Sequence, residues 1–265
     1  MVLGRAIGNI TRGTTNPNRL RRVDRYIANL PILRSISNPL VVDLGFGSQP
    51  ITTIELQQRL KKVNPELIML GIEIDRERVN KAKAFETERL HFNFGGFEIP
   101  IPEKIAQEKV SIIRAMNVLR QYEEAEVIPS WSIMQKRLQP NGLIVEGTCD
   151  EIGRLASWIT LDSNKALSLT LSFRLLGLDS PAKVAERLPK ALIHHNVQGE
   201  KIHSFLADLE NAWQTNAGLA VFSPTQRFIA CCYELIARGW QIQNQPKRWR
   251  LGELTVAWNE VSAFA

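Results

Sequence analysis

Two carboxylates, each closing a short apolar run, are the residues best placed to do chemistry in this chain. Asp43 follows Leu40-Val41-Val42 and leads into Leu44-Gly45-Phe46-Gly47. Glu73 closes a second run in Gly71-Ile72-Glu73-Ile74-Asp75. A strand that passes into a helix through glycines can hold a nucleotide-like ligand, because small residues let the backbone approach and leave amides free to donate. A carboxylate at the end of the next strand can accept hydrogen bonds from two ribose hydroxyls.

The elements that must position these residues follow a regular beat. Leu40–Leu44, residues 67–74, Leu90–Phe94, Val110–Met116 and residues 143–146 read as strands, the last after the turn Pro140-Asn141-Gly142. Residues 53–62 and 76–88 read as helices between them. Such alternation predicts a parallel sheet covered on both faces. The beat breaks after Thr148, where residues 157–161 and 167–173 alternate around Asp162-Ser163-Asn164-Lys165 as a hairpin. Helical stretches follow near residues 182–192 and 201–216, then a helix over 225–238, a short strand at 240–243 and a last strand over 253–258.

Composition sets the outer bounds. The chain has 265 residues and 44% hydrophobic content, enough for one large α/β domain or a domain with an insertion. No apolar run approaches the roughly 20 residues of a membrane span, and no apolar leader with a cleavage site is seen, so no membrane or secretory role is expected. Three cysteines, two of them the adjacent Cys231 and Cys232, fit a reducing, cytoplasmic compartment. The formal net charge of +6 favours an anionic partner.

Asp43-Leu44-Gly45-Phe46-Gly47, Gly71-Ile72-Glu73-Ile74-Asp75 and the stretch from Leu138 through Pro140-Asn141-Gly142 to Glu146-Gly147 together resemble the class I S-adenosylmethionine-dependent methyltransferases. The ending Tyr233-Glu234-Leu235-Ile236-Ala237-Arg238-Gly239-Trp240, with its final strand, is similar to them too. The resemblance covers about residues 39–147 and 225–258. It implies an α/β, doubly wound, mostly parallel seven-stranded sheet of the Rossmann-like methyltransferase kind, with six strands parallel and the last antiparallel. It implies S-adenosyl-L-methionine as cofactor, lying across the carboxyl ends of the first, second and fourth strands.

Carried over by position, Asp43, Gly45, Phe46 and Gly47 would surround the methionine part of the cofactor. Glu73, with Ile74 beside it, would bind the ribose. Gly95, Gly96 and Phe97 would border the adenine, and Arg114, Met116 and Asn117 would lie under the cofactor. The chain departs from the family where Gln49 and then Pro50 replace a further glycine, where Gly95 replaces an acidic residue, and where Ser111 replaces another. Arg114-Ala115-Met116-Asn117 is not the Asn-Pro-Pro-Tyr type of signature of enzymes that methylate amino groups of bases.

Other residues are candidates for holding a substrate. Arg12 and Arg19 belong to an arginine-rich stretch around Asn16-Pro17-Asn18. Arg248 and Trp249 stand in Pro246-Lys247-Arg248-Trp249-Arg250, where cations beside an aromatic suit a phosphate with base stacking or a small anion. His194 and His195 could act near neutral pH, although a capping or solvent-facing role suits them as well. Cys149 follows the fifth strand where RNA cytosine methyltransferases carry a nucleophile, but their second cysteine motif is missing, and free cysteine is commonly a small buried hydrophobe. No His, Cys or carboxylate spacing suggests a metal.

The expected organisation is a basic N-terminal arm over residues 1–38, a core over 39–149 and 224–262, and an insertion of hairpin and helices over 150–223 that recognises substrate. The expected function is a methyltransferase acting on an anionic small molecule. The alternatives are an RNA methyltransferase using the basic arm and the turn at 247–250, and a non-catalytic binding module that keeps the fold.

Overall fold

The computed structural model describes residues 6–263. Eight strands form one sheet: β1 (Leu40–Leu44), β2 (Ile68–Glu73), β3 (Leu90–Phe94), β4 (Val110–Met116), β5 (Leu138–Cys149), β6 (Leu155–Leu161), β7 (Ala166–Phe173) and β8 (Glu253–Ala257). Their order is β3-β2-β1-β4-β5-β6-β7-β8. The first five pair in parallel, and each pairing from β5 to β8 is antiparallel. The chain leaves β1 toward β2 on one side and later returns to β4 on the other. Between β1 and β4, therefore, the strand order reverses, and ligands of open α/β sheets bind at the carboxyl ends of such a point.

Alternation along β1 decides what lies on each face. Leu40, Val42 and Leu44 join one apolar layer, while Val41 joins the other and Asp43 points the same way as Val41. The Val41 layer is covered by α1 (Arg21–Ile27), α2 (Ile32–Ser35), α3 (Ile51–Leu60) and α4 (Arg76–Ala82). The Val42 layer is covered by α5 (Val127–Gln135), α6 (Lys190–Ile193), α7 (Lys201–Thr215), α8 (Pro224–Ala237) and α9 (Pro246–Trp249). Local signals start several helices. Asp75 caps α4 by accepting from the amides of Glu77 and Arg78, and Ser223 caps α8 by accepting from Gln226 N, with Pro224 in the first turn.

The doubly wound, mostly parallel sheet expected from the sequence is present, with three differences. The hairpin assigned to an insertion is β6 and β7, and it pairs directly with β5 inside the sheet. Its alternating residues are buried on both faces, with Trp158, Ile159, Leu169 and Leu171 fully enclosed, and so it completes the core. Residues 240–243 do not form a parallel strand, but touch β8 through the single bridge Ile242–Val256. The sheet consequently has eight strands rather than seven, with β8 at its edge. A helix the periodicity did not announce, α5, carries Pro129 in its first turn.

Candidate functional site

The glycine turn after β1 is bent for a close approach. Gly45 and Gly47 have φ of 72° and 85°, the left-handed region that side chains disfavour. Gly47 N donates to Glu73 Oε2 at 2.8 Å, so the carboxylate at the end of β2 fixes the turn after β1. Glu73 Oε1 accepts from the amides of Ile74 (3.0 Å) and Asp75 (3.2 Å). A carboxylate has about four lone-pair sites, so acceptor capacity remains on Oε2.

Asp43 sits at the mouth of this turn, but both its oxygens are engaged. Arg114 Nε and Nη2 donate to Oδ1 and Oδ2 at 2.9 and 2.7 Å, and Thr53 Oγ1 donates to Oδ2 at 2.6 Å. Arg114 also pairs with Asp24 on α1 and donates to Thr52 O at 3.0 Å. Asp24 in turn pairs with Arg59 on α3 at 2.6 Å. Acidic and basic groups thus alternate from β1 through β4 to α1 and α3 in the apolar layer. Burial pushes Asp24 up to about 6 despite its two guanidinium partners, whereas Asp43 and Asp24 raise Arg114 and keep it charged.

At the end of β4 the chain turns sharply at Asn117, whose φ is 61°. Asn117 N donates to Gly147 O at 2.7 Å, Cys149 N donates to Asn117 Oδ1 at 2.9 Å, and Asn117 Nδ2 lies 3.3 Å from Cys149 Sγ. A non-glycine residue held in this conformation by neighbours on both sides is a feature of functional sites. Burial raises the Cys149 thiol above its usual range, so it stays neutral and does not suit the nucleophile reading.

A cavity of about 590 Å³ opens at these carboxyl ends. Asp43, Gly45, Phe46, Gly47, Met116 and Asn117 line it from the strand ends. Arg12 and Arg19 of the arm line it from above, together with Arg120, Cys149 and Arg187. Burial, with the charges of Arg187 and Arg19 nearby, lowers Arg120. A second, small cavity of about 20 Å³ adjoins the first, and Glu73, Ile74, Gly95, Gly96, Phe97 and Tyr122 line it. Residues 7–11 of the arm close this end.

Five sequence candidates lie elsewhere. Arg114 is fully buried beneath the cavity, with its guanidinium committed to Asp43 and Asp24, and cannot reach a ligand. Trp249 is packed in the core with Nε1 donating to Asn244 Oδ1 at 2.8 Å, and Arg248 pairs with Glu253. His195 Nε2 meets Glu124 Oε1 at 2.7 Å, and His194 caps α6; neither lines either cavity. Conversely, sequence reasoning passed over Arg120 and Arg187. Arg120, three residues beyond Asn117, could have been found from its place in the loop after β4; nothing in the sequence marks Arg187. Among the described residues no group of three or more His, Cys, Asp or Glu side chains could hold a metal ion, and no helix is long and apolar enough to cross a membrane.

No protein-family model matches this chain, and none of the curated proteins does. Among solved structures it is similar to a chain of the complex between the Haloferax volcanii Trm112 methyltransferase activator and a methyltransferase, at 20% identity over 49% of this chain and 52% of that one, with a TM-score of 0.37. It is similar to human N-acetylserotonin methyltransferase solved with S-adenosylmethionine, at 20% identity over 48% and 33% of the chains, with a TM-score of 0.36. It is also similar to a Leishmania major S-adenosylmethionine-dependent methyltransferase, at 16% identity over 49% and 48%, with a TM-score of 0.35. The matched stretch is about half of this chain and from a third to a half of theirs.

Proposed function

We propose that this protein transfers a methyl group from S-adenosylmethionine to an anionic small molecule. The observation that carries this reading is the continuity of one cavity. It runs from the glycine turn of β1 and Asn117 of β4, at the switch point of the sheet, to a ring of arginines. The motif resemblance of Asp43 to Gly47 and of Gly71 to Asp75 supports the cofactor.

The residues present fit such a cofactor. Glu73 keeps acceptor capacity for a ribose hydroxyl, and the turns at Gly45, Gly47 and Gly95–Gly96 give backbone without side chains. Asp43, Gly45, Phe46 and Gly47 would hold the methionine end, with Met116 and Asn117 beneath it; Gly95, Gly96 and Phe97 would hold the adenine end. When bound, the cofactor supplies a methyl group already activated for attack by an oxygen, nitrogen or carbon nucleophile. The chain contributes orientation: the arginines fix the acceptor by its charge, and Asn117, tied to β5 through Cys149, keeps the floor of the cavity rigid. Arg187 and Cys149 come from the end of β5 and the segment after it, which supports residues 150–223 as part of substrate recognition.

The structure offers less to the RNA reading. Trp249, expected as a stacking platform beside Lys247 and Arg248, is buried in the core. Incubation with methyl-labelled cofactor and panels of anionic metabolites and of RNA tests the choice. Label in a small anion supports the proposal; label in RNA alone, with binding that falls steeply with salt, overturns the acceptor class.

A further inference from the structure

Three half-buried arginines, Arg19, Arg120 and Arg187, line the large cavity, and no carboxylate is in ion-pair contact with them among the described residues. Arg19 Nε and Nη1 donate to the neutral carbonyls of Asp150 (2.9 Å) and Thr14 (2.7 Å). Arg120 Nη1 donates to Glu186 O at 3.1 Å. The carbonyl of Arg187 accepts the hydroxyls of Thr148 and Ser157, which pins its backbone to β5 and β6. None of the three takes part in an ion pair among the described residues. Of the two carboxylates on the cavity, Asp43 is committed to Arg114, and Glu151 is exposed at the rim. Like charges held together in a partly buried space repel, and a bound anion of matching charge offsets that repulsion.

We propose that Arg19, Arg120 and Arg187 form a subsite for a phosphate monoester on the acceptor. This deepens the transfer reading above and rests on it only for the word acceptor. A phosphate monoester carries about −1.5 to −2 charge and three acceptor oxygens, which answers three planar guanidinium forks better than the single charge and two oxygens of a carboxylate.

Calorimetry with phenyl phosphate, and with benzoate as the carboxylate control, tests this on the wild type, Arg120→Ala, Arg187→Ala and the two lysine variants. Expected is binding of phenyl phosphate tighter than benzoate, weakened about tenfold or more in each alanine variant and less in each lysine variant. Equal affinity across folded variants, or no phenyl phosphate binding to the wild type, overturns the subsite. S-adenosylmethionine titrated separately into the wild type tests the transfer reading, so either can fail alone.

The small cavity is filled from within the chain. Ile7 N donates to Glu98 Oε2 at 2.8 Å, and Phe97 N donates to Ile7 O at 3.0 Å. Asn9 N donates to Tyr122 Oη at 2.5 Å, and Arg78 Nη2 donates to Thr11 O at 3.0 Å. A Cβ on Gly96 would stand 1.9 Å from Ile7 O, so the arm lies directly on the turn expected to border the adenine. The remaining space of about 20 Å³ holds no more than one water, whereas ligand pockets span about 300–1,000 Å³. We infer that residues 7–11 are a strap over the adenosyl end of the site, which must leave when the cofactor binds; this too rests on the cofactor reading.

Two variants release the strap without substituting any residue of the site floor. In Gly8→Val, the new Cβ would meet Tyr122 Oη at 2.9 Å on a residue whose φ is 136°. The other variant lacks residues 1–10. Expected is S-adenosylmethionine binding about tenfold tighter than wild type in both, with faster amide exchange at Asn9 of the wild type once cofactor is added. Equal affinity in all three proteins overturns the strap alone. Binding in none of them overturns the cofactor reading, and the strap falls with it.

Discussion

Asp43 and Arg114 face each other in register on adjacent parallel strands, with contacts of 2.9 and 2.7 Å, and Arg114 has no exposed surface. The residue at the mouth of the site is therefore also one end of a buried charge chain that reaches α1 and α3. Removing one partner of a buried pair leaves the other uncompensated and costs about 3–5 kcal/mol. Arg114→Leu and Asp43→Ala are expected to lower the unfolding free energy from urea melts by that order, with circular dichroism and fluorescence transitions checked for coincidence. A loss of ligand binding in Asp43→Ala would thus report the fold first.

Glu146 on β5 is fully buried, and neither carboxylate oxygen has a hydrogen-bond partner among the described residues. Desolvation pushes it up from 4.5 to about 8. A carboxyl raised on folding favours the protonated native state. Stability from this group is full below pH 4.5 and is lost as pH rises through about 8. Glu146→Gln is expected to remove that loss, on the order of a few kcal/mol at pH 9, in denaturant melts across pH. A wild type and variant with parallel pH profiles would contradict it.

Cys149 is 1% exposed, and burial disfavours its thiolate. Alkylation by iodoacetamide is expected to be slower than for a free thiol peptide at pH 8. Cys149→Ala is expected to keep the proposed methyl transfer, since burial holds its thiol in the neutral form. Abolished transfer with retained fold and cofactor binding would restore the nucleophile reading.

Trp249 packs edge-on to Tyr233 at 5.1 Å between ring centroids and is 2% exposed. Trp249→Ala is expected to cost about 3–5 kcal/mol in unfolding measurements. In protein that remains folded, its affinity for phenyl phosphate should match the wild type.

Much of the positioning frame was legible in the sequence. β1 is a short apolar run ending in Asp43-Leu44, β3 alternates apolar and polar residues and β4 is mostly apolar, and the structure has all three at the expected limits. The glycines and carboxylates at the strand ends are readable because turn geometry restricts residue type. What the sequence hid was partnership across the fold. Alternation identified the hairpin of β6 and β7 but not that β5 is its neighbour, because a strand pattern does not name its partner. Arg248 and Trp249 looked like a recognition turn because Glu253 and Asn244, which satisfy them, lie beyond local spacing rules. Arg114 read as a ligand residue because nothing near it in sequence announces Asp24, ninety positions away. Arg187 enters the cavity from a 3₁₀ stretch with no motif at all.

Glu73 forms the ribose end of the proposed cofactor site. Calorimetric titration of S-adenosylmethionine into the wild type and Glu73→Ala, with both shown to be folded, tests it most directly. Expected is saturable one-to-one binding to the wild type, weakened about tenfold or more in the variant, because a charge-assisted hydrogen bond contributes about 1.5–3 kcal/mol. No heat with either the folded wild type or the variant lacking residues 1–10, or equal affinity in wild type and Glu73→Ala, would contradict the site.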